Sequence, residues 1–112
     1  MGQWAVTQQP PITVPLTSSG ETTILPALAD PNTIYRLYAI QFVNKGKARE
    51  VELKEGIFVR WRGQIPQNAE ITVDYGAGGW TFANNTPLIV NAIGTPKMDV
   101  NVLTYGTVLT TI

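Results

Sequence analysis

The segment from Ile34 to Glu55 constrains this chain more than any other: IYRLYAIQFVN, then KGKA, then REVELKE. Its first limb is rich in β-branched and aromatic residues and contains neither Gly nor Pro. Its second limb alternates, with Val51 and Leu53 on one side and Glu50, Glu52 and Lys54 on the other. Side chains of a strand point to opposite faces in turn, so the second limb reads as a strand with one dry and one wet side. Between the limbs, Asn44-Lys45-Gly46-Lys47 offers a glycine for a tight reversal, and the whole predicts a β-hairpin. The first limb is apolar on both sides: Ile34, Tyr38, Ile40 and Phe42 share one face, and Leu37, Ala39 and Val43 the other. That pattern belongs to a central strand, or to one whose outer face another chain covers.

The rest of the chain has the same texture. Ser18-Ser19-Gly20 is a turn, and Thr22 to Leu25 a short strand closed by Pro26. Asp30-Pro31-Asn32 sets another turn. After Glu55-Gly56, the stretch Ile57 to Arg62 alternates, with Ile57, Val59 and Trp61 on one face. Ala69 to Tyr75 alternates too, with Ile71, Val73 and Tyr75 facing in. Trp80 to Ala83, Leu88 to Ile93, and Lys97 to Leu109, broken at Gly106, complete the strands. Short strands, closely spaced turns and no helical period predict an all-β fold with under about a tenth helix. The expected architecture is a single antiparallel β-sandwich, a jelly roll of about eight strands. Its core is expected to hold Leu37, Val51, Leu53, Val59, Ile71, Val73, Leu88, Val90, Val100 and Val102.

Before that domain, which spans residues 17–112, residues 1–16 read as an extended arm. Prolines at 10, 11 and 15 forbid a helix and disfavour a central strand, because each lacks a ladder donor. Trp4, Val6, Ile12, Val14 and Leu16 are apolar points along it that want burial. One chain of 112 residues supports one core. Only 14% of its residues are charged, against about 25% in typical soluble domains, so part of the surface is dressed in Thr, Asn and Gln or covered by partners.

Function classes fall away on chemistry. Eight basic and eight acidic residues leave no electrostatic footprint for a nucleic-acid partner. Without Cys there are no disulfides or thiolate metal sites, and without His the commonest general base and zinc ligand are missing. No apolar run approaches the ~20 residues a membrane helix needs. The first residues carry neither a basic nor an apolar signal segment, which points to synthesis and folding in a cytoplasm. Gly76-Ala77-Gly78-Gly79 lacks the Gly-Lys-Ser/Thr of a phosphate loop and is followed by Trp80, so it reads as a turn. Asp30, Asp74 and Asp99 stand too far apart for their spacing to indicate a hydrolytic pair or a calcium site. Trp61, Tyr75, Trp80 and Phe82, with Asn84 and Asn85, either form a sugar-stacking platform or pack as core and end-cap residues. No catalytic residue, cofactor site or metal site is legible, and the chain reads as a non-enzyme. Partner contacts are expected on the arm, through Trp4, Val6 and Ile12, and at the basic tip formed by Lys45, Lys47 and Arg49.

The order of segments also resembles a known group. The strand through Arg36 to Ala39, the charged VELKEG, the AEITVDY strand, Gly79-Trp80, LIVNAI and a closing VNVLTYGTV follow one another across residues 34 to 109. This is similar to the small β-sandwich structural proteins of tailed bacteriophages, especially those that decorate or cement capsids. The resemblance implies a trimeric virion protein on the outer capsid, bound to the major capsid protein where coat subunits meet. A tail, baseplate or fibre subunit, or a glycan-binding receptor-recognition module, are the alternatives.

Overall fold

In the computed structural model, which describes residues 6–109, ten strands form two antiparallel sheets, and there is no helix among the described residues. The strands are β1 (Val6–Gln9), β2 (Ile12–Leu16), β3 (Gly20–Leu25), β4 (Thr33–Asn44), β5 (Arg49–Glu55), β6 (Phe58–Ile65), β7 (Glu70–Asp74), β8 (Trp80–Thr81), β9 (Leu88–Ile93) and β10 (Met98–Leu109). In the longer sheet, β10 and β4 run side by side in the middle. β1 and β2 share the edge beside β10, and β7 and β8 share the edge beside β4. The shorter sheet has the order β3-β9-β5-β6. Ten strands therefore fill eight positions, four in each sheet. The described residues of the N-terminal stretch, in β1 and β2, lie along β10 as an edge of the sandwich itself. Pro15 sits on that edge, where its missing N–H costs no ladder bond.

The expected hairpin over residues 34–55 does not form. β4 pairs with β10, β7 and β8, whereas β5 lies in the opposite sheet between β9 and β6. A strand apolar on both faces has more to gain in the centre of a sheet than beside the half-polar β5. The residues read as a hairpin turn are instead a corner, held by Asn44. This side chain is 2% exposed, and its amide donates to the carbonyls of Lys47 (2.8 Å), Ile65 (3.2 Å) and Pro66 (3.0 Å). Its Oδ1 accepts from the Gly46 N–H at 3.0 Å. The strand-to-strand hairpin is the next one along: Glu55 opposes Phe58 across Gly56-Ile57, with φ of +60° at Gly56.

The core between the sheets contains Leu37, Val51, Leu53, Leu88, Val90, Val100 and Val102, as expected, with Ile71 and Val73 packed half-buried against it. Val59 is the exception, at 45% exposure. Leu53 opposes Trp61 but Lys54 opposes Val59, so Arg60 is an extra residue on β6. One extra residue reverses the side-chain parity of a strand, and Val59 turns outward. A similar irregularity where β10 passes β4, near Ala39 and Thr104, alters the faces of β4. Leu37 is thereby buried in the same core as Ile40 and Phe42, while the half-exposed Tyr38 leaves it. Nor does Gly106 break the last strand, since β10 runs unbroken from Met98 to Leu109.

Candidate functional site

The residues expected to meet a partner lie at opposite ends of the sandwich. Val6 opposes Val108, near one end of β10, and is 37% exposed. The Asn44–Lys47 corner adjoins the other end, where Lys45 N–H donates to the Lys97 carbonyl at 2.8 Å. Ten residues of β10 separate the two, about 33 Å at about 3.3 Å per residue. Ile12 opposes Val102 between them and packs half-buried against the core. Trp4 lies outside the described residues.

At the basic end, Lys45 pairs with Asp99 at 2.6 Å, and Lys47 is exposed. Arg49 is half-buried and donates from Nε to the Thr95 carbonyl at 3.0 Å. Its guanidinium rests on Gly94, where a Cβ would come within 3.0 Å of Nη1. A fourth cation joins them that the sequence reading missed. Lys97 abuts the corner so closely that a Cβ on Gly46 would fall 3.0 Å from its own Cβ. Its signal was its place at the end of the Gly94-Thr95-Pro96 turn; that this turn meets the Gly46 corner is a long-range contact with no local mark. Among the described residues, Lys47, Arg49 and Lys97 have no ion-pair partner, so this end presents positive charge.

Both outer faces are tied into polar ladders. On the longer sheet, Thr13 Oγ1 donates to Asn101 Oδ1 (2.7 Å), Asn101 Nδ2 to Gln41 Oε1 (3.1 Å), and Gln41 Nε2 to Glu70 Oε2 (3.1 Å). One chain of side-chain bonds thus crosses β2, β10, β4 and β7. On the shorter sheet, Glu52 accepts from Asn91 Nδ2 at 2.8 Å and from Arg62, while Lys54 pairs with Glu21. The Asn91 hydrogen bond, then the Arg62 hydrogen bond, hold the Glu52 carboxyl below its ordinary range.

The aromatic residues are committed to packing. Trp61 stacks on Phe42, with centroids 5.5 Å apart and planes at 12°. Trp80 lies against Phe82 (4.5 Å) and Tyr75 (5.4 Å). The Trp80 indole N–H donates to Glu55 Oε1 at 3.0 Å, and the Ala83 N–H donates to Oε2 at 2.8 Å. Glu55, 5% exposed, therefore clamps the β5–β6 hairpin to β8 and the segment after it. Asp30 and Asp74 bond to backbone N–H groups of their own turns, and Asp99 to Lys45. Among the described residues no three carboxylates gather as a metal site, and no cavity opens. The large apolar groups that do face outward include Ile57, Phe58 and Val59 at the β5–β6 tip, with Arg60 5.2 Å from the Phe58 ring centre.

No protein-family model and no curated protein sequence matches this chain. Among solved structures, it is similar to a protein of Bacillus endospore appendages, described as a novel family of disulfide-linked pili. The TM-score is 0.56 at 7% identity, over 99% of this chain and 93% of the other. It is also similar to the protein of a virus-like particle of the extra small virus of the giant freshwater prawn Macrobrachium rosenbergii. There the TM-score is 0.51 at 12% identity, over 95% of this chain and 78% of the other. At these identities the likeness is one of fold.

Proposed function

We propose that this chain is a structural subunit of a virus particle, a non-enzymatic decoration or cement protein on the outer capsid of a tailed bacteriophage. It bridges neighbouring copies of the major capsid protein and works as a homotrimer. The observation that carries this reading is the fold, shared along nearly the whole chain with proteins of two assemblies, a pilus and a virus-like particle. The strand order supports a jelly roll, since the chain passes to the opposite sheet after most strands and each sheet has four positions. The surface fits the same role: its polar side chains bond to one another in ladders, and Trp61, Tyr75, Trp80 and Phe82 are spent on packing. With no cysteine, disulfides between copies of this chain are excluded.

Two features serve attachment in this proposal. The N-terminal stretch with Trp4, Val6 and Ile12 supplies apolar area, each side chain worth roughly 1.5–3 kcal/mol when fully covered. The basic end with Lys45, Lys47 and Arg49 meets acidic coat surface and tunes the salt dependence. The test is titration onto capsids stripped of their decoration. Deletion of residues 2–11 removes β1 but leaves β2 on its edge, so a folded sandwich that no longer saturates capsids is expected. Lys45→Ala with Lys47→Ala is expected to alter mainly the salt dependence. Unchanged saturation by the truncated protein would place the contact on the sandwich itself, and no binding by the full chain would remove the capsid reading.

A further inference from the structure

β1 is attached to the molecule differently from the other strands. Pairing along this edge of β10 runs from Met98 to Val102 with β2, and resumes at Tyr105 with β1. Between them Pro10-Pro11 carries the chain past two residues of β10, and neither proline has an N–H to give the ladder. β1 is therefore a four-residue strand hinged to the sandwich by two stiff, extended residues. Three of its four residues are exposed, so it adds little to the core.

Its seat on β10 is nonetheless shaped for it. Gly106 opposes Gln8, and a Cβ there would lie 2.7 Å from Val6 Cγ1 and 2.8 Å from the Thr7 carbonyl oxygen. The missing side chain lets this strand settle against β10 at close range. β1 itself reads Val-Thr-Gln-Gln and carries no charge that would oppose a second copy. A seat that fits β1 of its own chain fits β1 of another chain equally, with the same ladder bonds made. Exchange through a short hinge is a low-cost route to association, because the contacts are conserved and only their connectivity changes.

We propose that β1 exchanges between copies of this chain, the Val6–Gln9 strand of one copy occupying the Tyr105–Val108 seat of another. The exchange concerns pairing between copies alone and holds whether or not the protein decorates a capsid. The chain has no cysteine, so introduced thiols report without background. Thr7 and Thr107 are in register. A Thr7→Cys chain is incubated at high concentration with a size-tagged Thr107→Cys chain under mild oxidation. The control replaces the tagged partner with tagged Lys47→Cys, whose thiol lies at the opposite end. Exchange gives a mixed disulfide several-fold above the control. A mixed disulfide no greater than control, while the Thr7→Cys/Thr107→Cys double variant closes within its own chain, overturns the proposal. Failure of the double variant to close at all, with Val6→Cys/Val108→Cys behaving alike, overturns it too, because β1 then does not hold its seat.

Discussion

Trp61 lies flat on Phe42 because residue 63 has no side chain. A Cβ at Gly63 would fall 2.4 Å from Trp61 Cη2 and 2.6 Å from Cζ2. Its replacement has to lift the indole from its stack, so Gly63→Ala is expected to destabilise the fold by about 1–3 kcal/mol, the usual cost of overpacking. The denaturation midpoint and a change in tryptophan emission would report it; an unchanged midpoint would mean the ring has another place to go. Tyr75 presents the opposite case. Its hydroxyl is buried without a hydrogen-bond partner among the described residues, and burial pushes its pKa up. An unmade bond leaves a desolvation cost of about 1–3 kcal/mol, so Tyr75→Phe is expected to be neutral or stabilising. Loss of more than about 1 kcal/mol in urea unfolding would show that the hydroxyl is satisfied in solution.

At the scale of strands, what was legible in the sequence was what alternation and apolarity encode. β5 and β7 came from their period, β9 from the turns that bound it, and the central place of β4 from its two apolar faces. Partner choice between strands was not legible. Asn44-Lys45-Gly46-Lys47 has the composition of a hairpin turn, yet what decides its path is Asn44 binding carbonyls at 65 and 66, some twenty residues away. The fate of Val59 was hidden for a related reason, since an extra residue at Arg60 shows only once β6 is laid against β5. Glu55 looked like a turn residue beside Gly56 and proves to be the buried acceptor for Trp80 and Ala83. Glu55→Ala leaves those N–H groups without their acceptor and is expected to cost about 2–3 kcal/mol. Its effect should be non-additive with Trp80→Phe in a double-mutant cycle; simple additivity would mean that the Glu55–Trp80 bond contributes nothing.

The whole molecule shows how a chain with so few charges keeps its open sheet edges from pairing indiscriminately. Prolines interrupt the β1–β2 edge, Arg60 and a bulge blunt β6, an irregularity near Ile24 and then Pro26 end β3, and Glu70 and Asp74 bound β7. On the broad faces, amides and a few charges bond to one another across strands. Glu52 is the centre of the ladder on the shorter sheet, which gives that face a dependence on acid. Its pKa is lowered in the folded state, chiefly by the Asn91 hydrogen bond and then by Arg62. The native state therefore binds that proton less readily than the unfolded chain does. The resulting stabilisation is complete above the ordinary glutamate value of about 4.3 and is lost as pH falls through the lower folded value. Other carboxylates titrate in the same range, so the informative quantity is the difference between the protein and Glu52→Gln. The variant is expected to unfold at lower urea at pH 7, and the gap between the two midpoints should close as pH falls below the ordinary glutamate value and through the lower folded one. A gap that stays constant across that range would show that Glu52 stabilises the sheet by shape or packing, with its charge playing no part.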